Sequence, residues 1–418
     1  MMYMQITAHN KHLRKFLIID ALFEGGRMFV GATSVTYLLS VGVGLKEIAA
    51  LKSIQAFVLI FGEVPTGILA DSFGRRLSLV LSGLCAIIGF LVFYFSSNFE
   101  LFAVAETFTA LSLCFWSGAY ESCAIDTAKL EHAEGSLNRF FHLNMSINSA
   151  AVMLFGLLGG YIGLKGIDLP YLGAVAAYII MLGLILTLPT EIGHEGHEAL
   201  TYTSWFNKIK QHSKAAIKEG LLHPLLLPFF LANIGIQFLI QPLLHYWQPM
   251  FQALDSSVTA DQQGIIFSAY CGVSALFGFI YSRFSKNEFS KKPITVALLF
   301  TAFSVIYFSI AFTHSLFAAA VLFCVLQGFL ALCRTSLSIK MNEAIESKSR
   351  ASILSTLSLI SRIGMMGALA IIGNMLNRDD STSILSLYKN FGALSFILIV
   401  LLMLGMQYSE RKNASKIP

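Results

Sequence analysis

Three ionisable residues, two of them able to take up and release a proton, stand where water is scarce. Asp20, Glu24 and Arg27 sit within "IDALFEGGRMFVG", residues 19–31, inside the first long apolar run of the chain. One charge at the centre of such a run costs about 2.5–3.5 kcal/mol, so three left unpaired would cost roughly 8–10 kcal/mol. Their spacing is i, i+4 and i+7, which on a helix of 3.6 residues per turn falls within an arc of about 60°. One helix face therefore carries all three, and that face must meet a polar cavity or other charges. Two readings stand. Glu24 and Arg27 are well spaced to pair as a structural ion pair. Alternatively, Asp20 and Glu24 carry protons while Arg27 binds a substrate charge, since a buried carboxylate is stabilised by taking up a proton. Gly25 and Gly26 leave room beside this face for a neighbouring helix or a ligand.

A second polar ridge lies far along the chain. Asn233, Gln237, Gln241, His245 and Gln248 recur at helical intervals in "ANIGIQFLIQPLLHYWQPM", with Trp247 beside them. Such a ridge offers hydrogen bonds and stacking; helix–helix hydrogen bonding can absorb a few of these groups but not five in register. Pro242 and Pro249 are expected to bend the segment. Further polar groups inside apolar runs are Glu106, Glu121, His142, Asn144, Asn148, Gln327, Arg334 and Arg362. Arg362 falls near the middle of its run. Asn148, His142 and Arg362 are candidate substrate contacts. Glu121 and Arg334 occupy equivalent places in the two halves, where they form either a salt bridge that breaks during a gating movement or a substrate contact. Lys52, Gln55, Asp126, Arg139 and Lys340 lie nearer run ends and can snorkel.

The elements that must position these groups follow from composition. The chain has 418 residues, of which 56% are hydrophobic and 13% charged, and its mean hydropathy is +0.69. An average soluble domain carries about 25% charged residues. Apolar runs of about 20 residues, the length that crosses ~30 Å of hydrocarbon, recur near 16–39, 47–70, 77–96, 101–124, 140–163, 168–188, 225–250, 260–283, 293–313, 316–339, 352–376 and 384–407. The expectation is an all-α membrane protein of twelve transmembrane helices in two six-helix halves. The halves are residues 1–189 and 224–418. Between them, 190–223 is a linker whose "SWFNKIKQHSKAAIKEG" reads as an amphipathic helix on the membrane surface or as a solvated helix.

Most of the 29 basic residues fall on one side of these runs, against Lys46, Lys52, Lys165, Arg378 and Lys389 near the other. The positive-inside rule then makes both termini cytoplasmic. The basic, polar start does not resemble a cleaved signal peptide. The six cysteines lie inside runs without CxxC spacing and read as small buried residues. A shift of about 211–214 residues aligns "GILADSFGRR" (67–76) with "GFIYSRFSKN" (278–287) and "ESCAID" (121–126) with "TSLSIK" (335–340), as in duplicated halves flanking a central site.

"GEVPTGILADSFGRRLSL" (62–79) then resembles the loop signature of the major facilitator superfamily, at Gly67, Leu69, Ala70, Asp71, Gly74, Arg75 and Arg76. The short turn suits glycine. The resemblance implies that this loop latches the two halves in the outward-facing state, a gating role that passes to Asp71, Arg75, Gly67 and Gly74. With "SGAYESCAID" (117–126), the loop is similar to a bacterial subgroup reading E-(I/V)-P-T-G-x-x-A-D, which implies a cytoplasmic (inner) membrane location and names no substrate. The fifth run carries "GLLGG" (156–160) without the Gly-Pro pair of drug/proton antiporters, and the fourth has Glu106 but no arginine at matching depth.

The reading is a secondary transporter using alternating access, coupled to protons or Na+. Its substrate is a small polar, anionic or zwitterionic solute: an amino acid, organic acid or carboxylate siderophore. Guanidinium groups suit carboxylates, which a greasy drug pocket does not need. The alternative is a multidrug/proton antiporter exporting lipophilic or cationic compounds. An enzyme is not expected, for there is no HExxH, nucleotide loop or Ser/His/Asp order. A receptor would usually carry a soluble domain. The expected partners are the solute, the coupling ion and the lipid bilayer; no cofactor, metal or nucleic acid is called for, and a monomer suffices.

Overall fold

The computed structural model describes residues 11–189, 227–284, 293–344, 350–376 and 381–414. The linker expected over 190–223 lies outside the described residues. Among the described residues the chain is helical and without strands: α1 (Lys11–Met28), α2 (Ser34–Ser40), α3 (Leu45–Phe73), α4 (Arg75–Phe95), α5 (Phe99–Leu130), α6 (Leu137–Gly163), α7 (Leu169–Leu186), α8 (Leu227–Leu239), α9 (Gln241–His245), α10 (Trp247–Leu254), α11 (Ala260–Phe284), α12 (Pro293–Ile310), α13 (Leu316–Ala344), α14 (Arg350–Met375) and α15 (Ser381–Ala414). Seven of the described helices are long and apolar enough to cross a membrane, and three shorter apolar ones accompany them. The polar α1, with Lys11, Arg14 and Lys15 ahead of the buried Asp20, is not among the seven.

Two apolar runs that read as single spans are interrupted. The first stops at Met28, turns through residues 29–33 and resumes as α2. Bonds from Gly31 N to Met28 O and from Thr33 N to Val30 O, both 3.1 Å, tighten this turn to three-residue steps. The seventh run breaks twice, at Ile240 and Tyr246, each a few residues ahead of a proline. Pro242 and Pro249 cannot donate to the preceding turn, and their rings crowd its carbonyls.

The chain forms two compact units. The first comprises Met1–Val43, Ile54–Trp205 and Thr259–Ser268; the second comprises Gly44–Ser53, Phe206–Val258 and Ala269–Pro418. Thus α3 and α11 each divide between the units.

In the first unit α4 packs on α5 and α7, and α1 packs on α6 and α7. The α4–α5 seam is built from small residues: Ser82 Oγ donates to Ser112 O at 2.8 Å and Ser78 Oγ to Phe115 O at 2.8 Å. Small side chains allow the close backbone approach on which membrane helices rely. Beside the charged face of α1, Gly25 meets Phe155 and Ala151 of α6, and Gly26 meets Ala177 and Tyr178 of α7. The space at this glycine pair therefore admits helices. Gly159 of α6 goes further, for a side chain there would stand 1.8 Å from Phe29 O.

The ends of these helices nearest the basic segments are tied by charge. Glu131 accepts from the backbone of His12 (2.9 Å) and Leu13 (3.2 Å), capping the start of α1. Lys15 Nζ donates to Thr187 O (3.2 Å) and Arg76 Nη2 to Leu186 O (2.8 Å), covering carbonyls at the end of α7. In the second unit α12 packs on α13 and α15, while α8 packs on α14 and α15.

Candidate functional site

Asp20 lies in the middle of α1 and is only 5% exposed. Its Oδ2 accepts from Asn144 Nδ2 and from Asn148 Nδ2 of α6, each at 2.5 Å. Asn144 and Asn148 are one turn apart, so one helix face delivers both amides to one oxygen. Asn144 is itself fixed, because Tyr120 Oη of α5 donates to its Oδ1 at 3.1 Å and lies 3.0 Å from Phe16 O. No ion pair to Asp20 is present among the described residues. Two neutral amides hold this carboxyl group.

One turn on, Glu24 and Arg27 form the ion pair that their spacing allows, at 3.0 Å, with both side chains about a third exposed (31% and 30%). Arg27 also stands over the Phe23 ring, 5.9 Å from its centroid. Phe23 is stacked on Trp116 at 3.8 Å and Trp116 on Tyr120 at 4.9 Å, while Tyr178 meets Phe23 edge-on. An aromatic column thus runs beside the acidic face of α1. Trp116, Tyr120 and Tyr178 were not singled out in the sequence. The available signal was the one-turn spacing of Trp116 and Tyr120, beside Glu121 in the same helix.

In the second unit the amide ridge crosses the helix breaks. Gln241 is fully buried; its Nε2 donates to Gln237 O at 2.7 Å, and its Oε1 is buried without a partner. His245, which ends α9, is half-buried, with its Nε2 likewise buried and unpartnered. Asn233 and Gln237 are half-buried and Gln248 is 1% exposed. Trp247 is 2% exposed and packs among Phe251, Tyr270 and Phe323, in the interior of the unit. Tyrosine hydroxyls serve the carbonyls at the breaks: Tyr307 donates to Leu239 O (3.0 Å) and Tyr388 to Pro242 O (3.1 Å).

The remaining candidates scatter. His142 on α6 and Glu121 on α5 are exposed in the first unit; Arg334 on α13 is exposed and Arg362 on α14 half-buried in the second. Asp71 lies within α3, which continues to Phe73, so the expected loop is the single residue Gly74. Gly74 has φ +98°, a conformation suited to glycine. A side chain at Gly67 would meet open space, while one at Gly118 would stand 3.6 Å from Gly67 Cα. Arg75 Nη1 pairs with Asp126 Oδ2 at 2.5 Å, and Lys129 approaches the same carboxylate at 3.6 Å. Among the described residues no cluster of His, Cys, Asp or Glu could hold a metal ion.

Comparison with known proteins agrees with this architecture. Residues 246–418 match the family model of the Major Facilitator Superfamily. The chain is 22% identical over 263 residues to the uncharacterized MFS-type transporter YxaM of Bacillus subtilis (strain 168), covering 62% of this chain and 63% of that protein. The chain therefore spans less than two thirds of that curated relative. Its fold is similar to the crystal structure of the nucleoside transporter NupG, with TM-score 0.76, 15% identity, and coverage of 95% of this chain and 100% of that one. It is also similar to the peptide transporter POT in complex with sulfate, with TM-score 0.71, 14% identity and 96% of each chain covered. These relatives are transporters rather than enzymes. The family match covers residues 246–418 of the chain, and the likeness to the solved structures shows a shared fold.

Proposed function

We propose that the protein is a secondary active transporter that moves a small polar, anionic or zwitterionic solute across the bacterial cytoplasmic membrane by alternating access, coupled to protons. The observation that carries this reading is Asp20: a carboxyl group buried in the middle of α1, bound by two neutral amides and without an ion pair among the described residues. A group so placed can exist with or without its proton, and burial makes the difference between the two states matter to its surroundings. Glu24 is a second acidic group on the same face, and its pair with Arg27 is exposed enough for a solute carboxylate to compete for the guanidinium.

In this reading Asn148, His142, Arg362 and the ridge Asn233, Gln237, Gln241 and His245 contact the solute, while Trp247 supports the ridge by packing. Gating belongs to Gly67, Asp71, Gly74 and Arg75 at the α3–α4 junction and to Glu121 and Arg334. The reading includes twelve spans in two halves, 1–189 and 224–418, joined by the 190–223 linker, with both termini cytoplasmic and the protein working as a monomer. The nucleoside and peptide transporters of similar fold are compatible with a solute that offers hydrogen-bonding groups.

A thermal-shift screen of the purified protein against amino acids, organic acids and carboxylate siderophores tests this. At least one such solute is expected to raise the melting temperature in the wild type and to lose that effect in Arg27→Gln. Stabilisation by lipophilic cations alone would sink the reading in favour of drug export.

A further inference from the structure

We infer that Asn148 reads the protonation of Asp20 and sets which kind of solute group the first unit accepts: a hydrogen-bond donor when Asp20 is ionised, an acceptor such as a carboxylate or carbonyl oxygen when Asp20 carries a proton. The inference rests on the reading of Asp20 as the proton carrier.

The two amides on Asp20 are not equivalent. Both point Nδ2 at the same carboxylate oxygen. Asn144 is anchored at its far end, where its Oδ1 accepts from Tyr120 Oη. Asn148 is not anchored, for its Oδ1 is buried and has no partner among the described residues. A buried carbonyl left without a donor is unfavourable, so a group that brings a donor to this atom is favoured. That is the state with Asp20 ionised.

When a proton from water adds to the carboxylate, an O–H donor appears among N–H donors, and it needs an acceptor. Asn144 can turn only if the Tyr120 hydroxyl gives up Oδ1 and directs its one proton to Phe16 O. Asn148 loses nothing at its far end by a half-turn of its terminal torsion, for which both orientations are of similar intrinsic energy. After the turn Oδ1 accepts from Asp20, and Nδ2 takes the place that Oδ1 held. The outward end of Asn148 has changed from acceptor to donor.

The charged and titratable groups that bear on Asp20 are Glu24 on its own helix and Glu121 and Tyr120 on α5. On the other elements packed against α1, Tyr178 of α7 is engaged with Phe23 O, and His142 of α6 is exposed. Arg27 is held by Glu24. None of these occupies Asn148 Oδ1. The consequence is a link between proton and solute. A carboxylate or carbonyl oxygen binds better once Asp20 is protonated, and by reciprocity it favours the proton. An ammonium or hydroxyl donor binds in the opposite sense.

Infrared difference spectroscopy of the full-length protein in lipid, stepped in pH, tests this with the proton itself as the probe. Separate preparations carry 13C in the aspartate carboxyl and in the asparagine side-chain carbonyl. Lowering the pH is expected to raise a protonated-carboxyl band that is missing in Asp20→Asn. With the same midpoint, an asparagine carbonyl band should move to lower wavenumber, and Asn148→Leu should lose that shift. An Asp20 band with no accompanying asparagine shift overturns the inference and leaves Asp20 as the proton carrier. Absence of any Asp20 band overturns both. The coincidence of the two midpoints is read in the unmutated sequence, so it stands if a variant does not fold.

Discussion

The first apolar run and the seventh are both interrupted helices, yet they hold their interruptions by different means. In the first, Phe29 opens the turn after α1, and its carbonyl lies against the bare backbone of Gly159 in α6. No proline is involved, and the charges of α1 sit in the regular helix before the turn. In the seventh, prolines make the breaks, tyrosine hydroxyls serve the carbonyls, and the polar ridge runs through them. The first arrangement is rigid, because backbone against backbone leaves no side chain to give way. The second rests on single hydrogen bonds that can be exchanged. The contrast places Asp20 on an element held backbone to backbone and the amide ridge on one interrupted at prolines.

The largest effect should come from breaking the rigid member. Gly159→Ala sets a methyl group 1.8 Å from Phe29 O, which backbone cannot accommodate without a shift, so a loss at or above about 3 kcal/mol is expected. Thermal unfolding in detergent measures it, with Gly183→Ala, where nothing lies within 4 Å, as the control that should not lose stability. Pro242→Ala sharpens the other side: restoring a donor inside the seventh run should raise stability by about 1–3 kcal/mol while slowing solute exchange. A gain in both would show that the break is not used.

Tyr388→Phe removes the donor to Pro242 O and should cost about 1–2 kcal/mol, the price of a buried carbonyl losing its partner. Smallest is Glu24→Gln, since a pair about a third exposed contributes under about 1 kcal/mol. Its melting temperature should hardly move, so any effect on transport would be functional rather than structural.

These features were unequally legible in the sequence. The common face of Asp20, Glu24 and Arg27 follows from helical spacing, and the 3.0 Å pair is a local contact that spacing alone can foresee. The breaks near Pro242 and Pro249 are equally local, because proline acts on its own helix. Asp20's partners lie 124 and 128 residues away, and no period in the sequence says which apolar run packs on which. Asn144 and Asn148 could be noted as polar but not joined to Asp20. The turn at residues 29–33 was hidden for the same reason: the glycine backbone that Phe29 packs against, Gly159, is on another helix. Trp247 reads from its neighbours as part of a polar wall, whereas the break at Tyr246 turns it into the packed interior.

The central claim is that the fixed element carries the proton. The most direct measurement uses proteoliposomes and a solute identified by thermal shift, comparing accumulation under an imposed pH gradient with solute exchange at equal pH. Asp20→Asn keeps a side chain of the same shape that the neighbouring amides can still bond, and should abolish gradient-driven accumulation while exchange continues. Undiminished gradient-driven accumulation in Asp20→Asn would contradict the account.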